Sequence, residues 1–145
     1  MWTYDDDEFD DEPTNPEERA LRARVLVVDD DEGLRELIIA RMRREGFEVI
    51  EAGSGFEALE TLAIVSKSPY DQLDLLVMDV RMPGATGLEI ARMLRGAGWD
   101  VPVVLITAFP DRDLLAESAE LGLTVLAKPF GLDRLSTAAI AAMTH

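Results

Sequence analysis

Residues Leu73-Asp74-Leu75-Leu76-Val77-Met78-Asp79-Val80-Arg81-Met82-Pro83-Gly84 hold a short apolar run that stops at a carboxylate, Asp79, and then turns at Met82-Pro83-Gly84. Continuous Leu and Val over this length, bounded by a Pro-Gly turn, predict a strand buried on both faces over Leu73–Met78. The pattern repeats on either side. Downstream, Thr86-Gly87-Leu88-Glu89 has the spacing of a capping box and opens a helix to about Gly96. Val101–Ile106 is a further strand, ending at Thr107, with a helix over Asp111–Leu121 behind it. Leu123–Ala127 is another strand, ending at Lys128-Pro129, and Leu132, Leu135, Ala139, Ile140 and Met143 mark one face of a last helix. Upstream, Val25–Val28 runs into Asp29-Asp30-Asp31. Leu34, Leu37, Ile38 and Met42 then share a helix face closed by Gly46. A weaker strand at Phe47–Ala52 precedes a helix opened by Ser54-Gly55-Phe56-Glu57, running to about Ser66 before a loop through Pro69. These are five βα units, which imply an α/β fold: a parallel sheet, doubly wound, with helices on both faces.

Composition narrows the chemistry. The 145 residues suffice for one domain with its own core, and no apolar run approaches a membrane span. There are no cysteines, which excludes thiolate catalysis and cysteine-ligated metals and suits a reducing cytoplasm. The one histidine is His145, so no histidine triad or histidine-rich metal site can be built. A net charge of −15 argues against nucleic acid as a partner. That charge is uneven: residues 1–20 hold nine acids and one base, a net of −8, leaving −7 for the other 125 residues. Residues 1–21 are therefore expected to form an acidic, extended tail, and residues 22–145 the folded body. Trp2, Tyr4 and Phe9 interrupt the acids. They suit either a short docking motif or a plain solvating arm, the blander of the two, and the tail could shield Arg41, Arg43 and Arg44 in cis or engage another protein.

Ligands of such folds bind outside the carboxyl ends of the strands. Four of the five ends carry a reactive group: Asp29 and Asp30, Asp79, Thr107, and Lys128. Converging carboxylates repel unless a cation lies among them, and an oxygen-only ligand set suits Mg²⁺. Lysine brings a compact positive charge and threonine a hydroxyl, which with a metal would stabilise a transferring phosphoryl group. Only Lys67 and Lys128 among 14 basic residues are lysines, so this chain departs from its habitual arginine at that position. The bland readings are a helix cap for Asp31 and an ordinary β-branched strand residue for Thr107.

Four segments, taken together and in order, carry a resemblance. Val25-Leu26-Val27-Val28-Asp29-Asp30-Asp31-Glu32, Val77-Met78-Asp79-Val80-Arg81-Met82-Pro83-Gly84, Ile106-Thr107-Ala108 and Ala127-Lys128-Pro129-Phe130 resemble the receiver domain of two-component response regulators, over about Arg24 to Thr144. The resemblance implies the flavodoxin-like strand order 2-1-3-4-5. It implies Asp79 as phosphoacceptor, with a histidine kinase or histidine phosphotransfer protein as donor. Asp30 and Asp79 would ligate Mg²⁺ directly, Asp29 largely through water, and the Arg81 carbonyl would complete the set. Thr107 and Lys128 would contact the phosphoryl group, and Lys128-Pro129 would be a cis peptide. Two positions depart from the family: Val125 stands where a tyrosine or phenylalanine is usual, which weakens the expected threonine–aromatic coupling, and Thr86 replaces a common aspartate but still caps its helix. Phe109 and Arg81 flank the site where the family tunes access of water.

The implied function is a stand-alone, cytoplasmic receiver that signals to an unknown downstream protein, a switch with no enzyme turnover. An alternative is a haloacid-dehalogenase-like phosphatase, with Asp29 as nucleophile and Asp31 as acid–base. Against it, Glu32-Gly33-Leu34 follows Asp31, and Asp79 with its turn is left unexplained. A second alternative is a pseudo-receiver that only binds protein.

Overall fold

The computed structural model describes residues 22–67 and 72–144; the acidic segment 1–21 and His145 lie outside the described residues. Five strands alternate with five helices. The strands are β1 (Arg24–Val28), β2 (Glu48–Ala52), β3 (Leu75–Asp79), β4 (Val103–Thr107) and β5 (Thr124–Ala127). The helices are α1 (Glu32–Arg44), α2 (Gly55–Val65), α3 (Gly87–Gly96), α4 (Arg112–Leu121) and α5 (Leu132–Met143). All pairings are parallel and the order is β2-β1-β3-β4-β5, as the resemblance implies. The register is unbroken from Val25 opposite Leu75 to Asp79 opposite Ile106.

Every residue of β1, β3 and β4 is buried, which is why these strands show no polar alternation. One apolar layer holds α1 and α5 against the sheet through Val25, Val27, Ile38, Met42, Val77 and Leu135. The other holds α2, α3 and α4 through Leu26, Leu62, Met78, Ile90, Leu105 and Leu114.

Helix starts follow the capping signals. Asp31, Ser54, Thr86 and Asp111 each accept a backbone N–H in the first turn. At Thr86 the box is complete, with Glu89 Oε1 accepting from the Thr86 N–H at 2.8 Å. At Ser54 only half forms, because the Glu57 carboxylate accepts instead from Gly53, at 2.7 Å.

Four strands begin later than the apolar runs suggest. Phe47, Leu73, Val101 and Leu123 are buried but precede the ladder. Two helix-face assignments are corrected. Leu37 is 56% exposed, with Ile38, Ile39 and Met42 facing the core of α1, and Ile140 is 51% exposed, with Leu135, Ala139 and Ala142 facing that of α5.

Candidate functional site

Because the sheet is parallel, β1, β3, β4 and β5 deliver their ends to one edge. Asp29 follows β1, Asp79 is the last residue of β3, Thr107 the last of β4, and Lys128 follows β5. Carboxylate oxygens of Asp29, Asp30 and Asp79 all lie within 4.8 Å of one another. Asp29 and Asp79 are buried and Asp30 is exposed, so the cluster sits at the bottom of a mouth open to solvent on one side.

The two oxygens of Asp29 fare differently. Oδ1 accepts from the Asp31 N–H at 2.9 Å, whereas Oδ2 is buried without a hydrogen-bond partner among the described residues. Burial pushes the Asp29 carboxyl above its ordinary range; the Asp31 amide works against this, Asp79 adds to it, and Lys128 opposes it. An orphaned, buried carboxylate oxygen among two further carboxylates is an electrostatic deficit that a cation would relieve. The all-oxygen donor set fits a hard divalent ion.

Lys128 Nζ lies 3.4 Å from Asp79 Oδ2. The Lys128 N–H donates to the Thr107 carbonyl at 2.8 Å, which fixes the start of the following loop, and the Lys128-Pro129 peptide is cis. Thr107 Oγ1 accepts from the Phe109 N–H at 3.0 Å, so its side chain is oriented by the loop it precedes. The Arg81 N–H points at Asp79 Oδ1 across 3.4 Å. Its guanidinium sits 4.9 Å from the centre of the exposed Phe109 ring, forming one lip of the mouth. A cleft of about 250 Å³ opens beside this lip over Val80, Thr107, Leu88 and Leu114. A larger one, about 500 Å³, lies among Val65, Leu73 and Trp99, residues remote from the carboxylates, at the far ends of their elements.

Each residue singled out from the sequence, Asp29, Asp30, Asp79, Arg81, Thr107 and Lys128, lies at this edge. Asp31 is engaged as the α1 cap, its Oδ1 accepting from the Leu34 N–H at 3.1 Å. Val125 packs half-buried against the α2–α4 layer, with no ring at that position.

Two contributors escaped sequence reasoning. Arg35, on α1, donates to the Asp29 carbonyl at 2.7 Å and to Glu51 at 3.1 Å, tying the Asp29 loop to β2. Gly87 opens α3 against the carbonyl of Asp79, where an added Cβ would sit only 2.4 Å from that oxygen. A glycine at the first turn of a helix, where better helix formers are available, was the one sequence signal for it.

The model of the response regulator receiver domain family matches residues 25–140. Sporulation initiation phosphotransferase F of Bacillus subtilis is 34% identical over 119 residues, covering 81% of this chain and 91% of that protein. Response regulator MprA of Mycobacterium tuberculosis is 40% identical over 120 residues, 79% of this chain but 48% of MprA, so the chain spans about half the length of that relative. Among solved structures, the non-phosphorylated HemR receiver domain of Leptospira biflexa superposes with a TM-score of 0.74 at 30% identity, covering 86% of this chain and 96% of that one. The Vibrio cholerae chemotaxis protein CheY4 gives 0.70 at 29%, covering 84% and 98%. Strand order, a carboxylate cluster at the strand ends and a family match across the folded body thus agree, and the chain belongs to the response regulator receiver domain family of two-component systems.

Proposed function

We propose that this protein is a phosphorylation switch whose acceptor is Asp79, loaded by a histidine kinase or histidine phosphotransfer protein. In the transfer, an Asp79 carboxylate oxygen attacks the phosphorus of a phosphohistidine. The P–N bond breaks, its electron pair leaves with the imidazole, which takes up a proton, and an acyl phosphate remains on Asp79. Lys128 is placed to pair with one phosphoryl oxygen, and the Thr107 hydroxyl can turn to donate to another. Asp29, Asp30, Asp79 and the Arg81 carbonyl would hold Mg²⁺, which when bound supplies the positive charge that offsets the phosphoryl oxygens. One observation carries the reading: three carboxylates within 4.8 Å of one another, with the Lys128 ammonium 3.4 Å from Asp79.

The body at residues 22–145 would act without turnover and without nucleic acid, passing its signal to a downstream protein in the cytoplasm, with residues 1–21 as an acidic extension outside that unit. Intact-protein mass spectrometry after incubation with acetyl phosphate tests the proposal. A single phosphoryl adduct that needs Mg²⁺, is removed by hydroxylamine and is missing in Asp79→Asn supports it. No adduct, together with no binding of beryllofluoride, would leave a protein-binding pseudo-receiver.

A further inference from the structure

We propose that the acidic segment 1–20 docks in cis on the basic carboxyl-terminal end and outer face of α1. Three arginines, Arg41, Arg43 and Arg44, crowd the last turn of that helix. The neighbouring acids are already engaged: Glu45 and Asp133 with Arg41, Glu48 with Arg24. Arg43 and Arg44 are exposed and have no carboxylate partner among the described residues. Helix geometry puts Leu37, Ala40 and Arg44 on one stripe at i, i+3 and i+7; all three are exposed, Leu37 by 56%. The stripe is apolar in its middle and basic at its lower end.

The tail has the matching composition, with nine acids, one base and three aromatics, Trp2, Tyr4 and Phe9. Its point of attachment matches too. The Ala23 carbonyl accepts from the Glu48 N–H at 2.9 Å, and Glu48 is only four residues beyond Arg44, so the chain enters β1 beside the basic end. Glu17 and Glu18 are four or five residues from Arg22, a reach of at most about 18 Å. Phe9 is 13 residues away, and α1 is about 20 Å long, so the aromatics can span the Leu37–Ala40 stretch. Direction is set by charge. The arginine end attracts the tail, whereas the Asp29, Asp30 and Asp79 end repels it, so docking covers the lower part of α1 and leaves the carboxylate site open. Tethering holds the tail at an effective concentration of about a millimolar, so individually weak contacts suffice. Arg43 and Arg44 also complement the negative end of the helix dipole, which explains their presence without a carboxylate partner among the described residues but not the exposed apolar stripe beside them.

The full chain tests this directly. With no native cysteine, Thr3→Cys accepts a single spin label, and amide relaxation reports where the tail spends its time. Docking predicts several-fold stronger broadening at residues 37–46 than at α3, lost in about 1 M salt, where the Debye length falls to about 3 Å. Arg43→Glu with Arg44→Glu should abolish it while resonances elsewhere keep their positions. Broadening that survives both changes, that is spread evenly, or that centres on another face overturns the proposal. So does broadening that appears only between molecules, when labelled chains are mixed with isotope-enriched unlabelled ones.

Discussion

At Asp29 the chain has buried a carboxylate and left one oxygen unpartnered, an arrangement that costs stability unless something positive arrives. In chelator, Asp29→Asn is therefore expected to raise stability by about 1 kcal/mol in urea unfolding at neutral pH, since it removes a desolvated charge. The sign follows from linkage. Burial holds this carboxyl above the ordinary aspartate range in the folded state, so it binds the proton more tightly than the unfolded chain does. That contribution to stability is present below the ordinary carboxylate range and is lost as pH rises through the raised value, so the gain from Asn shrinks as pH falls into the ordinary carboxylate range. The same variant should lose stabilisation by Mg²⁺. At Gly87 the constraint is steric: Gly87→Ala must push α3 away from the Asp79 carbonyl. A cost of about 1–3 kcal/mol, seen as a lower denaturation midpoint, is expected.

Between elements, Arg35 is the link from α1 to the Asp29 loop and to β2. It acts by positioning, so Arg35→Ala should weaken Mg²⁺ binding about 10-fold, measured by metal titration, while the circular dichroism spectrum stays the same. The Arg92–Glu117 pair joining α3 to α4 is bidentate, at 2.6 and 2.9 Å, but solvated. Element order and type were legible because every strand but β2 is a run of apolar residues closed by a polar one, and four of the five helix starts carry a side-chain cap. The site was legible for the same reason: in a parallel sheet, the residue closing a run lands at the shared edge. Arg35 and Gly87 were not legible, because what they do depends on a neighbour distant in sequence. Leu37 and Ile140 were misplaced because apolar residues on these helices cover more arc than the core contacts. Which part faces inward is decided by the packing of α1 and α5 on the sheet.

For the molecule as a whole, the proposed metal site ties folding to a divalent cation through the three carboxylates at one edge. The unfolding temperature should rise with Mg²⁺ concentration as mass action requires, and Asp79→Asn should flatten that dependence in differential scanning calorimetry. Two layers of helices, buried central strands and a half-buried Val125 also mean that any change at Thr107 must reach the surface without an aromatic lever at that position. The central claim is that Asp79, among the three clustered aspartates, takes the phosphoryl group. The most direct measurement is to phosphorylate the protein, reduce the acyl phosphate with borohydride, and locate the resulting homoserine by tandem mass spectrometry. The account predicts homoserine at position 79 and nowhere else. Homoserine at position 29 would contradict it and point to the phosphatase chemistry instead.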